Sequence, residues 1–472
     1  MATVEATAPS EPATELTGSA PPSEAGPLEP GSRPISMPAS LPLSPFRQTL
    51  RFGRRPLPFL FHARREVGEV FAFRVIGRDR PFVVTSHPDH VRSLFTAKPD
   101  QVPSITAESP LRPIVGPNSV LTANGPRHMR QRKLLLPPFH GEAIAQYTER
   151  ISAMVEREVD GWEPGVPFSL AKRMQAVTLE VIMAGIFGIE GEPESGSPER
   201  RLRDATLYFL RQSERPGFGL VEILGAGQLE PKGIMKLIID RIDPHYYDAI
   251  AARRALPEAE RGTDVLSLLL AATDEEGEGL SDHEIRDELV SLVLAGHETT
   301  ANSLAWTFER LVRTPPAYDA LRDAVRGGDG AEYVEATITE GMRVRPVIPM
   351  VGRVPTVDWQ LGEHVIPAGT PISMAIALIH HREDVYPQPF AFRPERFLGV
   401  KPGTYTWLPF GGGTRRCLGA ALAMAEQRIV VETIARRVDL AAADPEPERE
   451  RHRNVTLIPA KGGQVVVERI LG

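Results

Sequence analysis

The sequence predicts a mainly α-helical protein with a small β region, folded as a single large domain. Several segments between residues 87 and 272 have apolar residues at helical spacing, with Pro or Gly between them. A longer segment, 281–313, is apolar nearly all round in its middle, as expected of a helix that runs through the interior. Short β-type segments lie near residue 80, around residues 359–374 and at the carboxyl end.

Composition indicates a globular protein of the cytoplasm. Lys and Arg number 54 against 61 Asp and Glu, a net charge of −7 that argues against a general nucleic-acid binder. Cys417 is the single cysteine, so no intramolecular disulfide can form and a reducing compartment is favoured. Because neither a secretory signal nor an apolar segment of about 18 residues is present, we predict no membrane span.

The first 45 residues differ in composition from the rest of the chain. They contain prolines among Ala, Ser, Thr, Glu and Gly, with hardly an aromatic residue. Such a composition cannot bury enough apolar surface to fold, so we predict a disordered tail over 1–45. No linker divides the remainder, and residues 46–472 are predicted to form one domain.

The predicted elements follow in chain order. A β-hairpin is predicted over 71–85, because apolar residues alternate on both sides of Gly77 and Asp79. Helices are then predicted at 87–96, 126–136, 141–160, 168–188, 200–212, 233–254 and 263–272. The Pro- and Ser-rich segment 101–118 has no clear period and is predicted to be a loop.

The long helix is predicted to begin at a capping box, Ser281-Asp-His-Glu284, and to end before Pro315. The elements predicted after it are helices at 316–326, 330–344 and 418–438 and strands at 359–361, 364–366 and 371–374. A terminal strand pair is predicted at 454–459 and 464–469, turned by Gly462-Gly463.

The segment with the most specific chemistry is 410–419, Phe-Gly-Gly-Gly-Thr-Arg-Arg-Cys-Leu-Gly, which leads into the last helix. Glycines let backbone N–H groups approach a sulfur, and a helix start and two arginines place positive charge beside it. This setting predicts a thiolate at Cys417, whereas a lone cysteine is otherwise most often a small buried apolar residue. The glycine run lacks the later glycine of both the Walker and the dinucleotide-binding loops.

This segment resembles the haem-binding loop of the cytochrome P450 family, F-x-x-G-x-R-x-C-x-G. Phe410, Gly413, Arg415, Cys417 and Gly419 match every fixed position. The resemblance implies the cytochrome P450 fold and a haem b cofactor with Cys417 as the thiolate ligand of its iron. It also implies that Arg415 holds a haem propionate and that Phe410 covers the sulfur side.

Glu340-Gly-Met-Arg343 places a carboxylate and a guanidinium on one helix face. By itself this spacing is common in solvated ion pairs. It is similar to the family's E-x-x-R, however, and Pro394-Glu-Arg-Phe397 follows in the family's order. The resemblance implies a buried Glu340–Arg343–Arg396 network that braces the haem loop and takes no part in the chemistry.

Residues 295–300 of the long helix, Ala-Gly-His-Glu-Thr-Thr, resemble the family's [AG]-G-x-[DE]-T-[TS]. We expect Thr299 to bond back to a carbonyl one turn earlier and to loosen the helix. Cleavage of dioxygen needs protons, so the resemblance assigns a carboxylate–alcohol relay to Glu298 and Thr299. The alternatives are a helix kink with a satisfied hydroxyl or a zinc protease, but H-E-x-x-H fails at Ala301, and His297 is taken as a bystander.

Further cationic residues are expected at the haem propionates. His128 and Arg132 share one face of a basic helix, which could equally be solvated. The resemblance assigns both of them, together with Arg353 after the E-x-x-R helix, to the propionates.

The resemblance implies a monooxygenase that inserts one atom of dioxygen into a lipophilic small molecule, by hydroxylation or epoxidation. Because only 472 − 417 = 55 residues follow Cys417, electrons are expected from a separate ferredoxin and its NAD(P)H-dependent reductase. Arg416 and Lys133 could steer such an acidic partner.

Substrate contacts are expected at Ala295, Val347 and Ile348, and in the loop 101–118 and the segment 200–246. Two alternatives stay open: a peroxide-dependent haem-thiolate isomerase or peroxygenase, and a non-catalytic haem-binding protein. The pair Glu298 and Thr299 argues against both, because neither alternative needs a proton relay for dioxygen.

Overall fold

The computed structural model describes residues 14–108, 111–139, 142–213, 215, 230–453 and 455–471. Most of its helices begin at a polar side chain or a proline. Ser44, His87, Ser169 and Asp264, for example, each accept a backbone N–H of the first turn that they precede. The α-helices are α1 Pro45–Arg54, α2 Pro56–Val67, α3 Pro88–Thr96, α4 Arg112–Val115, α5 Gly125–Leu135, α6 Glu142–Asp160, α7 Leu170–Phe187, α8 Pro198–Ser213, α9 Gly233–Ala255, α10 Val265–Ala271, α11 Asp282–Leu311, α12 Pro315–Gly327, α13 Ala331–Val344, α14 Ile376–Ile379 and α15 Ala420–Arg437.

Short strands form small sheets at the edges of this helical body. The strands are β1 Thr14–Leu16, β2 Ala25–Pro27, β3 Val70–Phe73, β4 Phe82–Thr85, β5 Phe168–Ser169, β6 Val351–Arg353, β7 Trp359–Leu361, β8 His364–Ile366, β9 Ile372–Met374, β10 Val400–Pro402, β11 Val438–Ala442, β12 Glu450–Arg453, β13 Thr456–Pro459 and β14 Gln464–Ile470. The largest sheet among the described residues has the order β3-β4-β9-β6, with β4 and β9 parallel. The predicted hairpin is confirmed, since β3 and β4 pair antiparallel.

The long helix α11 passes through the interior as predicted. Ser281 and Glu284 form the expected capping box, with the Ser281 N–H donating to Glu284 Oε2 at 2.9 Å. The helix has 30 residues, a length of about 45 Å. It contacts α7, α13 and α15.

Two hydrophobic cores meet along α11. Leu289 and Val293 of its first half belong to a core with α7, α8 and α9. Leu304 and Phe308 of its second half belong to another core with α6, α13 and α15. The segment 295–300, singled out from the sequence, lies where one core gives way to the other.

The prediction of a disordered tail over 1–45 does not hold for residues 14–45. β1 pairs with β10 and β2 with β7, and α1 begins at Pro45. The His90 imidazole contacts Ser23 Oγ at 2.8 Å, and the Ser23 N–H donates to Asp89 at 3.0 Å. Composition misled here because edge strands of the domain supply hydrogen-bond partners that the segment lacks by itself. Residues 1–13 lie outside the described residues.

The predicted terminal strand pair is also wrong, although both strands exist. β13 pairs with β12, whereas β14 pairs with β11 and β5 in a different sheet. Gly462 and Gly463, with φ of 81° and 63°, lie against Ser169 and the Ala305 carbonyl instead of forming a tight hairpin turn. Their lack of side chains permits this close approach.

Other segments hold more helix than the sequence indicates. The segment 46–67, for which no element was predicted, forms α1 and α2. The predicted loop 101–118 contains a 3₁₀ turn, Ile105–Glu108, and α4, while residues 109–110 lie outside the described part. No helix in the described parts of the chain is long and apolar enough to cross a membrane.

Candidate functional site

The loop before α15 closes on itself and fixes the position of Cys417. The Cys417 N–H donates to the Phe410 carbonyl at 2.9 Å, and the Gly411 N–H donates to the Leu408 carbonyl at 3.0 Å. Gly411 and Gly413 both have φ of 64°, which a residue with a Cβ rarely adopts. Two glycines of the run are therefore required by backbone conformation.

The loop is also pressed against α3. A Cβ built on Gly412 would overlap the Phe95 ring, and one on Gly413 would overlap the Phe95 carbonyl oxygen. Any side chain at these two positions would push the loop away from α3. The glycine run thus sets the distance between the loop and α3, a role in packing that the sequence alone did not reveal.

The Cys417 thiol has protein on most sides and yet keeps accessible surface. Burial raises its pKa, while the Gly419 N–H and the charges of Arg416 and Arg132 act in the opposite direction. These groups favour the thiolate as expected, but burial has the larger effect on the thiol pKa. Since a coordinating metal deprotonates a thiol outright, the site suits a metal ligand better than a free nucleophile.

Four cationic or basic residues predicted at the propionates converge beside this loop. His128, Arg353 and Arg415 line one small cavity together. Burial lowers the pKa of Arg353 and of Arg415 to about 10, and Arg132 and Arg353 add to the effect on Arg415. Burial and the same three arginines lower the pKa of His128 to about 4, so it is neutral near pH 7.

This cluster fits a haem group. None of Arg132, Arg353 and Arg415 forms an ion pair with a carboxylate in the described parts of the chain, although buried cations are normally paired. Arg415 instead donates to the Leu121 carbonyl at 3.4 Å and to Asn124 Oδ1 at 2.5 Å. A haem offers two propionates to these cations and an iron to the accessible sulfur.

The structure brings Glu340, Arg343 and Arg396 together in the interior. Arg343 donates to both oxygens of Glu340, at 2.6 and 2.9 Å, and Arg396 Nε donates to Glu340 Oε1 at 3.1 Å. Arg343 also donates to the carbonyls of His380 and Pro389, both at 2.7 Å. The two carbonyl contacts tie α13 to the chain that precedes the loop, whereas the bonds to Glu340 stay within α13.

His380 links this network to the loop, and sequence reasoning missed it. Its Nε2 accepts the Leu408 N–H at 2.7 Å, and its Nδ1 lies 3.2 Å from the Arg343 carbonyl. Burial and the Arg343 charge hold the pKa of His380 well below its usual range. The neutral ring must then accept at Nε2 and donate from Nδ1, which fixes one tautomer. Nothing in the sequence distinguishes it from His381.

In α11, Thr299 bonds back as expected, its Oγ1 donating to the Ala295 carbonyl at 2.7 Å. A Cβ on Gly296 would lie 3.2 Å from Ile182 of α7, so this glycine permits close helix packing. His297 is buried, and burial together with Arg453 lowers its pKa to about 4. Its position in the motif therefore carries an uncharged side chain.

Glu298 has an ion-pair partner that the sequence did not reveal. Arg453 Nη2, at the end of β12, lies 3.0 Å from Glu298 Oε1, and both side chains are largely buried. Because both groups are removed from water, each charge depends on the other for compensation. No sequence signal connects residues 298 and 453, because they meet only through the packing of β13 on α11 and the pairing of β12 with β13.

Accessible surface remains in the middle of α11, although most of the helix is buried. Ala295 is exposed and Thr299 half-buried, whereas Ala301 and the turns that follow are buried. Leu292 and Leu294 of α11 and Leu418, next to Cys417 in the chain, are partly buried residues packed against the same hydrophobic cluster. Val347 and Ile348 are half-buried, and the Val347 carbonyl accepts the Leu457 N–H at 2.7 Å.

The chain matches the sequence model of the cytochrome P450 family over residues 38–467. Among similar proteins, cytochrome P450 135B1 of Mycobacterium tuberculosis is 34% identical over 445 residues, covering 93% of this chain and 92% of that protein. Cytochrome P450 138 of the same organism is 38% identical over 414 residues, covering 86% and 90%.

The fold has a counterpart among solved structures. Retinoic acid-bound cyanobacterial CYP120A1 superposes with a TM-score of 0.76 at 21% identity. The superposition covers 93% of this chain and 100% of that one.

Proposed function

The chain belongs to the cytochrome P450 family and is a haem-thiolate monooxygenase with a haem b cofactor, and from this premise we propose its substrate class, its proton relay and its electron donor. The substrate is a lipophilic small molecule that is hydroxylated or epoxidised. The electrons come from a separate ferredoxin and its NAD(P)H-dependent reductase. When bound, the haem supplies the activation of dioxygen.

The observation that carries the substrate proposal is the accessible apolar surface in the middle of α11. Ala295, Leu292 and Leu294 keep accessible surface in the middle of a buried helix. Apolar walls with few polar groups favour ligands that lose little hydration on entry. The solved structure of the same fold is of a protein bound to retinoic acid, which is a ligand of the same broad lipophilic class.

Glu298 and Thr299 are proposed to move protons at this surface. The Thr299 hydroxyl donates to Ala295, so its lone pairs are available to accept from a water. Glu298 is held by Arg453 at 3.0 Å, which fixes the carboxylate one residue away from the hydroxyl. Such a pair can relay protons through water while the surrounding leucines exclude bulk solvent.

Cys417, Arg132, Arg353, Arg415 and His128 are proposed to hold the haem. Their task is binding and orientation, with sulfur on the iron and cations on the propionates. The neutral His128 can donate one N–H to a propionate without adding charge to the cluster.

Electron delivery is proposed on the face that carries Arg416. Arg416 is exposed, lies 6.0 Å from the Phe410 ring centroid and makes no ion pair with a described carboxylate. Lys133, the other residue expected to steer the donor, already pairs with Glu275 at 2.7 Å. We therefore assign the attraction of an acidic partner mainly to Arg416.

A screen for substrate-induced spectral shifts tests the substrate class. Fatty acids, terpenoids, steroids and polyketides are titrated into the haem-loaded protein, and products of the positive compounds are identified by mass spectrometry with ferredoxin, reductase and NADPH. We expect a shift and one added oxygen with at least one class. Shifts only with polar compounds would contradict the proposal.

Ionic strength and charge reversal test the donor site. Arg416→Glu should lower the rate of reduction by an acidic ferredoxin at low salt, and should remove most of the salt dependence. Lys133→Gln serves as the control, because its charge is already paired, and should have a smaller effect. A salt-independent rate in the wild type would exclude electrostatic docking at this face.

A further inference from the structure

The solvent-facing side of α1 carries large apolar side chains, unlike that of an ordinary surface helix. Its inward side consists of Gln48 and Phe52, whereas Phe46 and Leu50 point outward and are 62% and 47% exposed. Phe46 and Leu50 are spaced i, i+4 and so share that outward face. Exposed groups of large apolar side chains mark surfaces that bind another molecule or a membrane.

Arginines flank these apolar residues on the same face. Arg47, Arg51 and Arg54 are exposed, and at helical spacing they form a row beside Leu50. None of the three forms an ion pair with a carboxylate among the described residues. The outward face of α1 thus combines apolar and cationic side chains without a compensating acidic group of the helix itself.

The tip of the β3–β4 hairpin extends this face. The Arg74 N–H donates to Gln48 Oε1 at 2.8 Å, and the Ile76 N–H donates to Thr49 Oγ1 at 2.9 Å. These bonds fix the hairpin beside α1, with Ile76 56% exposed. We call the outward residues of α1 together with Arg74 and Ile76 the basic–apolar face.

A groove opens beside this face. It has a volume of about 370 Å³, is open to solvent and is lined mainly by apolar groups, with two arginines. Its walls include Met37, Pro38, Ala72, Pro81, Arg74 and Arg80. Arg74 therefore belongs both to the groove and to the basic–apolar face. Asp79, at the hairpin tip, is an acidic residue directly before Arg80 in the sequence.

We propose that the basic–apolar face binds the surface of an anionic phospholipid membrane. Phe46, Leu50 and Ile76 enter the boundary between headgroups and acyl chains, and the arginines pair with lipid phosphates. The groove accommodates part of a lipid headgroup beside Arg74 and Arg80. This association needs no membrane-spanning helix and does not depend on the identity of the enzyme's substrate.

The arrangement favours a membrane over an acidic protein. The apolar residues lie on the convex outer side of a helix, where they can insert into a soft interface but form no pocket for a partner's side chain. The charged residues of α1 beside them are all arginines, which matches a continuous anionic surface. Guanidinium groups are also the side chains best suited to bidentate phosphate contacts.

Vesicle co-sedimentation tests the proposal with the full-length, haem-loaded protein. Wild type is mixed with vesicles of pure phosphatidylcholine or of phosphatidylcholine with phosphatidylglycerol, at about 0.01 M and about 1 M salt. We expect binding to the anionic vesicles, weakened at high salt. The triple change Arg47→Gln, Arg51→Gln and Arg54→Gln should weaken it about 100-fold, at about 1 kcal/mol per arginine.

Matched variants separate charge, apolar insertion and folding. Changing the same three arginines to Lys should preserve binding, whereas Phe46→Ser with Leu50→Ser should weaken it about tenfold or more. Val166→Ser, at a residue 49% exposed in a different sheet region, should change nothing. An unaltered haem spectrum verifies folding in each case.

Two outcomes would overturn the assignment. The first is a wild type that does not sediment with anionic vesicles at low salt, or a glutamine variant that binds as the wild type does. The second is loss of acidic ferredoxin binding in the glutamine variant without vesicle binding by the wild type, which would assign the face to a protein.

Discussion

Thr299 and Glu298 are adjacent in α11 but are held in different ways. Thr299 is tied to its own helix through the Ala295 carbonyl at 2.7 Å, so its hydroxyl keeps a fixed direction. Glu298 is tied to a distant strand through Arg453 at 3.0 Å. The proposed relay therefore depends on one local hydrogen bond and on one long-range ion pair.

Thr299→Ala tests the local half of the relay. Without the hydroxyl, no alcohol accepts from water at this position, so we expect more peroxide and about tenfold less product per NADPH. Thr299→Ser keeps the hydroxyl and is the control. Coupling in the alanine variant equal to that of the wild type would move the proton path elsewhere and revive the peroxide-dependent alternative.

Arg453→Met tests the long-range half. The buried carboxylate loses the group that orients it, so product formation should fall about tenfold while the solvent isotope effect on turnover increases. Arg453→Lys keeps a positive charge and should recover part of the rate. A purely structural role would lower stability in both variants but would leave the isotope effect of the surviving enzyme unchanged.

At the scale of elements, a continuous set of hydrogen bonds connects α13 to the thiol loop. Arg343 binds Glu340 and the His380 carbonyl, and His380 binds the Leu408 N–H two residues before Phe410. Trp407 adds a bond from its indole N–H to the Thr339 carbonyl at 3.1 Å. Because these donors and acceptors are buried, breaking any one of them leaves its partner unsatisfied.

His380→Leu should loosen the thiol loop. Two buried backbone groups, the Leu408 N–H and the Arg343 carbonyl, lose their partner, at a cost of about 2–5 kcal/mol in the free energy of unfolding. We also expect a smaller fraction of protein with the red-shifted ferrous–carbonyl band. His381→Leu is the matched control, because the His381 ring bonds to Ala377 and not to the loop. Equal spectra for both variants would remove His380 from the support of the loop.

For the whole molecule, buried histidines and buried carboxyl groups set the pH range in which the fold is stable, because burial lowers the pKa of the histidines and raises that of the carboxyl groups. Burial lowers the pKa of His90 and His381 to about 3 and that of His297 to about 4. It raises the pKa of Glu426 to about 8 and that of Glu288 well above its usual range. Both carboxyl groups are buried, and one oxygen of each has no hydrogen-bond partner among the described residues.

We expect stability to be greatest near pH 6.5. Below that value the unfolded chain binds protons at histidines that the folded protein keeps neutral, so stability is lost as the pH falls. Between pH 4.5 and 8 the folded protein keeps Glu426 protonated while the unfolded chain ionises it, so stability is also lost as the pH rises. Chemical denaturation between about pH 4 and pH 8 measures the free energy of unfolding on both sides of this maximum.

Glu426→Gln tests the cause of the loss of stability at rising pH. The amide cannot ionise in either state, so the variant should exceed the wild type by about 1–3 kcal/mol at pH 8 and should match it at pH 4. An increase at pH 4 as large as that at pH 8 would show that the ionisation of Glu426 is not the cause.

Local patterns in the sequence determined most of this protein's elements and the identity of its site. The capping box of α11, the hairpin of β3 and β4 and the loop around Cys417 are each encoded within about 15 residues, where periodicity, capping and glycine geometry act. The E-x-x-R spacing likewise placed Glu340 and Arg343 on one face of α13, and the family resemblance added Arg396.

Only the tertiary structure decided contacts between residues far apart in the chain. It paired Arg453 with Glu298, placed His380 under the thiol loop, joined residues 14–27 to the edges of two sheets and separated β13 from β14. It also decided the direction in which the pKa of the Cys417 thiol shifts, because burial raises this pKa more than the neighbouring positive charges lower it. The physical reason is that burial and long-range pairing depend on how whole elements pack, and no local pattern of residue types records that packing.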